Sequence, residues 1–294
     1  METAGLTRLL PALLLASGCF ASLAGQAGQP EIVAQKIKDN IYMLKGGSGA
    51  NTGLFFGNGE AVVIDAKMTA ESAKQMLDEV RKLTPIPVTH VILTHSDRDH
   101  VDGLAGLPAG VAIIAQEQCK QEMEEAAKAP EARELKAHLP GQTFKESLDL
   151  KLGGYALQLL HFGPAHTSGD TVIYFPAEKV AFIGDLAFLS REPLVHRQKG
   201  GTSFGLAATL KKLLELDAEI FVSGHDAPST KAQLQRLLES LEDKQAKVKA
   251  LVAAGKSLAE VKAALGVIDE PGKAGAPRFP SLAEVIYLEL TEKK

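Results

Sequence analysis

The 294-residue chain has a formal net charge of −4, with 45% hydrophobic and 23% charged residues, the balance of an ordinary globular protein. That length suffices for one large domain with a sizeable core. No basic surplus is present to neutralise phosphates and no Trp to stack on bases, which argues against a nucleic-acid partner.

Residues 1–27 read as a secretory signal peptide. Arg8 is its positive flank, residues 9–15 its apolar centre, and Ser22-Leu23-Ala24 or Gly25-Gln26-Ala27 its small-residue cleavage site. The apolar run is too short to span a bilayer. Cys19 follows Leu15-Ala16-Ser17-Gly18, a partial acylation box, and is a candidate lipid anchor. The expected location is therefore the periplasm or the exterior. With the peptide removed, Cys119 is the only thiol and an intramolecular disulfide is impossible.

From residue 31 the pattern is a meander of short strands over 32–37, 41–44, 51–56 and 61–65, punctuated by Gly46-Gly47 and Gly57-Asn58-Gly59. Ala73, Met76, Leu77 and Val80 at helical spacing predict a helix over 69–83, stopped by Pro85 and Pro87. An apolar, β-branched strand over 88–93 follows, then a turn-rich piece over 101–107 and a strand over 111–115. A helix is expected over 116–128, and strands over 144–152, 155–162, 171–175 and 179–183. Residues 186–203 show no period. A helix over 204–216 and a strand over 219–222 lead into a helical remainder. There Leu234, Leu237, Leu238, Leu241, Val248 and Leu251 share one face, and Ser257-Leu258-Ala259-Glu260 and Ser281-Leu282-Ala283-Glu284 are capping boxes. A loop over 271–280 separates the last two helices. No interior linker is visible.

The strand over 88–93 runs directly into Thr94-His95-Ser96-Asp97-Arg98-Asp99-His100. In extended chain, i and i+2 point the same way, so His95 and Asp97 can share one ion. A turn then lets Asp99 and His100 serve a second. His166, Asp185 and His225 each sit at a further strand end beside a glycine. Singly each reads as a turn residue. Together, seven such groups at successive strand ends suit two metal ions.

His-x-Asp-x-Asp-His, then His-Thr-x-Gly-Asp, Gly-Asp and Gly-His in that order resemble the metallo-β-lactamase superfamily, from Asn51-Thr52-Gly53 and Asp65 to His225. The resemblance implies an α/β (α+β) fold: a four-layer αββα sandwich of two mixed β-sheets flanked by helices, spanning 28–294. By position, His95, Asp97 and His166 would hold the first ion, Asp99, His100 and His225 the second, and Asp185 would bridge them. Asp97 departs from the family pattern, which usually has a second His there. Two divalent ions are implied, zinc first, with iron or manganese also suited to oxygen ligands. Three carboxylates against two divalent ions and a hydroxide make the centre about neutral, which raises the pKa of the bound water. The rival reading is that Asp97 leaves the first site weakly filled.

The implied chemistry is a dinuclear-metal hydrolase of a small-molecule substrate, a metal-activated hydroxide attacking an ester, thioester, lactone or lactam carbonyl, with Asp99 as proton acceptor. An Asp at position 185 is the pattern of glyoxalase-II-like thioesterases and lactonases rather than of true β-lactamases. Two alternatives stay open. A diiron-type oxidoreductase resembles the flavodiiron branch, which has a carboxylate at position 97 but needs a flavin partner or relay. The other is a non-catalytic metal-binding protein. His196, Arg197 and Lys199 are expected either to bind a substrate carboxylate or to form a solvated basic loop. Arg98 is expected to balance the carboxylates, Asp65 to support the site without ligating, and His90 and His161 to be packed side chains. His138 carries no assignment, and the oligomeric state is left open.

Overall fold

The computed structural model describes residues 1, 30–268 and 279–292; the predicted signal peptide after Met1, with Cys19, and most of the 271–280 loop lie outside the described residues. The chain opens with an antiparallel meander: β1 (Val33–Lys38), β2 (Ile41–Lys45), β3 (Thr52–Gly57) and β4 (Glu60–Ile64). Helix α1 (Ala70–Leu83) crosses over to β5 (Val88–Ile92), which pairs in parallel with β4. Thr69 caps α1 by accepting the Ser72 N–H, and Ala73, Met76, Leu77 and Val80 form its buried stripe, as the spacing requires.

A one-turn helix α2 (Arg98–Val101) carries part of the His/Asp cluster, and a 3₁₀ turn over residues 102–106 follows it. Strand β6 (Ala112–Gln116), helices α3 (Glu117–Ala126) and α4 (Arg133–Lys136), and strand β7 (Gln142–Phe144) complete a seven-stranded mixed sheet. The single strand expected over 144–152 is in fact two. The chain leaves the first sheet after Phe144 and begins the second with β8 (Ser147–Leu152). Gln116 Nε2 donates to the Lys145 carbonyl at this crossing, a tertiary hydrogen bond that no local pattern encodes.

The second sheet adds β9 (Tyr155–Leu160), β10 (Val172–Phe175), β11 (Val180–Gly184) and β12 (Ile220–Ser223). Its order runs from β12 through β11, β10 and β9 to β8, and only the β11–β12 pair is parallel. Helix α5 (Ser203–Glu215) connects β11 to β12, and α6 (Lys231–Ala253), α7 (Leu258–Ala264) and α8 (Leu282–Thr291) follow.

Strand alternation sorts the core into three apolar layers. Leu54, Phe56 and Val63 face α1 and α3 with Met76, Val80 and Met123. Phe55, Val62 and Ile64 face the other way and meet Ile173, Phe175 and Phe182 between the sheets. Val172, Tyr174 and Ile183 pack outward on α5, α6 and α8 through Leu210, Leu238 and Ile286. The architecture is thus the four-layer αββα sandwich of two mixed sheets. Among the described residues no helix is long and apolar enough to cross a membrane.

Candidate metal centre

The chain ends of β4, β5, β11 and β12, with the β9–β10 connection, open at one edge of the sandwich. The two sheets are joined there backbone to backbone. Thr171 N donates to Thr94 O at 2.7 Å and Asn51 N to Gly224 O at 2.6 Å, while Gly224 N donating to Gly184 O at 2.9 Å ties the ends of β12 and β11 within the second sheet. His95, Asp97, Asp99 and His100 come from the first sheet's side; His166, Asp185 and His225 come from the second's.

All seven predicted residues converge. Their ligand atoms form three groups, each within 4.8 Å internally: His95/Asp97/His166, His95/His100/Asp185 and Asp99/His100/His225. Asp97 Oδ2 lies 3.1 Å from His166 Nε2 and 3.6 Å from His95 Nε2. Asp185 reaches both sides, at 3.3 Å from His100 Nε2, 3.1 Å from His225 Nε2 and 3.9 Å from His166 Nε2. Asp99 Oδ2 is 3.2 Å from His225 Nε2. Five of the seven, His95, Asp97, His100, His166 and Asp185, are buried, and only the Asp99 and His225 side chains, each about 30% exposed, open to solvent.

Glycine makes room at two points. Gly184 has φ +50°, and a Cβ there would stand 2.7 Å from Thr94. A Cβ on Gly224 would stand 2.2 Å from Asp185 Oδ1 and 2.8 Å from His100 Cε1. Neither position tolerates a side chain without displacing the cluster.

The residues present fit a pair of cations. Among the described residues His95 Nε2, His100 Nε2 and Asp185 Oδ1 are buried with no hydrogen-bond partner, each orphan a cost of about 1–3 kcal/mol unless something else satisfies it. Imidazole nitrogens and carboxylate oxygens in this number are donors for divalent ions. The protonation equilibria agree. Burial opposes charging of His166, yet Asp97 and Asp185 beside it lift its pKa to about 9. His225 is likewise lifted to about 9 against burial by Asp185 and Asp99, and His100 is raised against burial by Asp185 and Asp65. Burial also opposes ionisation of Asp97, but the His166 hydrogen bond and nearby His95 hold it well below the usual carboxylate range. Protons thus occupy imidazoles that cations could take.

Asp65 supports the centre as expected. Its Oδ1 accepts the Thr94 N–H at 2.8 Å, and its Oδ2 accepts from Thr94 Oγ1 at 2.8 Å and His100 Nδ1 at 2.7 Å. Two non-glycine residues at the end of β4, Asp65 and Lys67, adopt φ of +64° and +69°. That strained turn aims both side chains inward. Lys67, invisible in the sequence reading, is fully buried and donates to the carbonyls of Leu44, Gly46 and Ala50 at 3.2, 2.9 and 2.7 Å. Burial pulls its pKa down to about 8 despite nearby Asp65.

Three expectations for neighbouring residues need correction. Arg98 pairs with Asp102 at 2.7 Å on the surface, not with the ligand carboxylates. Arg197 forms two hydrogen bonds with Glu292, the C-terminal cap of α8, at 3.2 and 2.6 Å. Lys199 spends its ammonium on Ser96 O, Ser96 Oγ and Asp97 Oδ1 at 3.0, 2.9 and 2.7 Å. With three donors and three acceptors in place, Lys199 has none left for substrate. It also offsets the Asp97 charge, so two divalent ions would make the centre more cationic than a count of three carboxylates implies. His196, in the same loop, brings Nε2 to 3.3 Å from Asp97 Oδ2. Burial pushes its pKa down to about 4, so it is neutral at pH 7.

That loop is built from both sides. His196 N donates to His166 O at 2.8 Å, Ser168 N to Lys199 O at 2.7 Å, and Thr202 N to Ala165 O at 2.8 Å. From the far side α8 holds it through Glu292 on Arg197 and Glu289, which accepts the Ser203 N–H at 2.7 Å and the Ser203 hydroxyl.

This fold carries a His/Asp cluster of metal-ligand type at one edge of its two sheets. The chain belongs to the metallo-β-lactamase superfamily, whose model matches residues 46–225. It is 25% identical over 204 residues to the 2,4-dinitroanisole O-demethylase subunit alpha of Nocardioides sp. (strain JS1661), covering 68% of this chain and 60% of that protein. It is 26% identical over 255 residues to the metallo-β-lactamase type 2 of Elizabethkingia meningoseptica, covering 81% of this chain and 96% of the relative. Among solved structures, the stereoselective inverting sec-alkylsulfatase Pisa1 from Pseudomonas sp. superposes with a TM-score of 0.71 at 18% identity, over 88% of this chain and 50% of that one. The chain therefore spans 60% of the length of the demethylase subunit and half of that of the alkylsulfatase.

Proposed function

We propose that the protein is a dinuclear metallohydrolase acting on an ester-class bond, a carboxylic ester, thioester or lactone before a β-lactam. The observation that carries this is the convergence of buried, unpartnered His95 Nε2, His100 Nε2 and Asp185 Oδ1 among three overlapping ligand groups. His95, Asp97 and His166 would hold one ion, Asp99, His100 and His225 the other, and Asp185 would serve both; zinc is proposed first, iron or manganese next. Two divalent ions there would acidify a water and polarise the scissile carbonyl.

The protein's own groups supply the rest. Asp99, at the open rim, orients the attacking water and accepts its proton. Burial opposes its ionisation, but His225 and His100 hold its pKa below the usual range, so it starts ionised at neutral pH. Phe188 stacks on the His225 ring at 5.5 Å and also lines a cavity of about 440 Å³. Arg191 lies over Phe188 at 4.2 Å, and Arg236 and Lys244 line the same cavity, with Glu192 paired to Lys244. The non-reacting part of the substrate would sit there, and the surplus of cations favours an anionic one. Those cations also favour a second reading, a sulfate monoester. The pattern in residues 1–27 supports export.

Elemental analysis of the purified protein, together with a panel of esters, thioesters, lactones, β-lactams and sulfate esters, tests this. The expected result is two metal equivalents and turnover of one class, lost on chelation and restored by metal. Full metal occupancy with no turnover anywhere in the panel overturns it.

A further inference from the structure

We propose that His196 is an additional metal-ligating residue of the first site, standing in for the imidazole that the family usually carries where this chain has Asp97. The inference rests on the metal-centre reading above and goes beyond its seven residues.

Asp97 Oδ2 is the meeting point of three imidazoles: His166 Nε2 at 3.1 Å, His196 Nε2 at 3.3 Å and His95 Nε2 at 3.6 Å. Only the His166 nitrogen forms an aligned hydrogen bond with it. Among the described residues the His95 and His196 Nε2 atoms are buried with no hydrogen-bond partner. The His196 nitrogen approaches Asp97 Oδ2 without an aligned hydrogen bond, an approach that a shared cation would account for. Imidazole nitrogens and a carboxylate oxygen are the donor types that zinc takes.

Lys199 completes the arrangement. By binding Asp97 Oδ1 at 2.7 Å it occupies one carboxylate oxygen and leaves Oδ2 as the single oxygen facing the nitrogens. Asp97 is then a one-oxygen ligand, and the imidazole absent at position 97 is supplied by another part of the chain. His196 is also placed firmly. Its backbone N–H is bonded to the carbonyl of His166, its carbonyl accepts from Lys199 N and Gly201 N, and its ring packs 5.0 Å from His166 and 4.8 Å from Phe279.

The test is titration of metal-free protein with Co(II), read by d–d absorption, with Zn(II) affinity from chelator competition. The variants are His196→Ala, His196→Phe, which keeps the ring packing with Phe279, and Asp97→His/His196→Ala. In both single variants one of two equivalents should weaken by about 100-fold or more, beyond the loss expected from an outer hydrogen-bond partner, and the Co(II) spectrum should change. The other equivalent stays within a few-fold. The double variant, with an imidazole restored at position 97, should recover the weakened equivalent. Two equivalents at wild-type affinity and spectrum in His196→Phe overturn the inference, and so does lost turnover with unchanged metal binding. If wild-type protein binds no Co(II), the metal-centre reading itself falls.

Discussion

Asp65→Asn removes one charge and almost no volume, yet the geometry makes it severe for metal binding. Asp65 Oδ1 faces the Thr94 N–H, an obligate donor, so an Asn here must place its carbonyl oxygen at that position. Its NH2 then takes the place of Oδ2, which receives Thr94 Oγ1 at 2.8 Å and His100 Nδ1 at 2.7 Å. The hydroxyl can turn and accept. The imidazole can accept only by moving its proton to Nε2, the nitrogen that faces Asp185 and the proposed second ion. The opposite amide orientation sets NH2 against the Thr94 N–H. Loss of such an orienting partner weakens metal binding by about 10–100-fold, or about 1.4–2.7 kcal/mol. Zinc competition with a chromophoric chelator at pH 7.5 measures it, alongside near-UV circular dichroism to verify the fold. A folded Asp65→Asn protein that binds both equivalents within threefold of wild type would refute the tautomer argument.

Because His166 and His225 titrate near 9 and His100 is raised in the metal-free protein, cation uptake at pH 7 should release protons. Apparent affinity should climb from pH 7 to about 9 and then level off, which calorimetry in buffers of different ionisation enthalpy can follow. Gly224→Ala should abolish uptake of at least one equivalent while the protein stays folded, since the new methyl would meet Asp185 Oδ1. Elemental analysis checks this. Lys67→Met exchanges three ammonium–carbonyl hydrogen bonds, about 1.5–3 kcal/mol each, for relief of a burial cost of roughly 3 kcal/mol, so urea unfolding should show net destabilisation. The folded lysine pKa near 8 lies below the unfolded value, so the unfolded chain binds more protons between them. The wild type should therefore gain stability relative to the variant as pH rises from 8 to 10.

The strands and most helices were legible because their apolar periods are local: Leu54 and Phe56 alternate with Phe55, and Met76, Leu77 and Val80 recur at helical spacing. The seven clustered residues were legible for a related reason. His95, Asp185 and His225 follow closely on strand ends, whose positions the whole sheet sets, and Asp97, Asp99 and His100 are carried just beyond β5, while His166 stands within the β9–β10 connection. The break at Lys145-Glu146 was not legible, because an alternating run carries no mark of which sheet each half joins. Lys67 and His196 were hidden differently. Both stand in irregular segments, and their burial depends on carbonyls and carboxylates that the chain brings up only after folding. Arg197 and Lys199 read as free charges because their acceptors, on α8 and at Ser96-Asp97, lie far away in sequence.

The match to the superfamily stops at residue 225, while α8 begins at Leu282. Yet Glu289 of that helix and Glu292 at its C-terminal cap grip Ser203 and Arg197, the two ends of the stretch bearing Lys199. The tail thus works as a remote tensioner. Slackening it by changing either glutamate would be transmitted along a few bonds to Asp97, so variation in this peripheral helix offers a route for retuning one ion's grip without touching any residue around it.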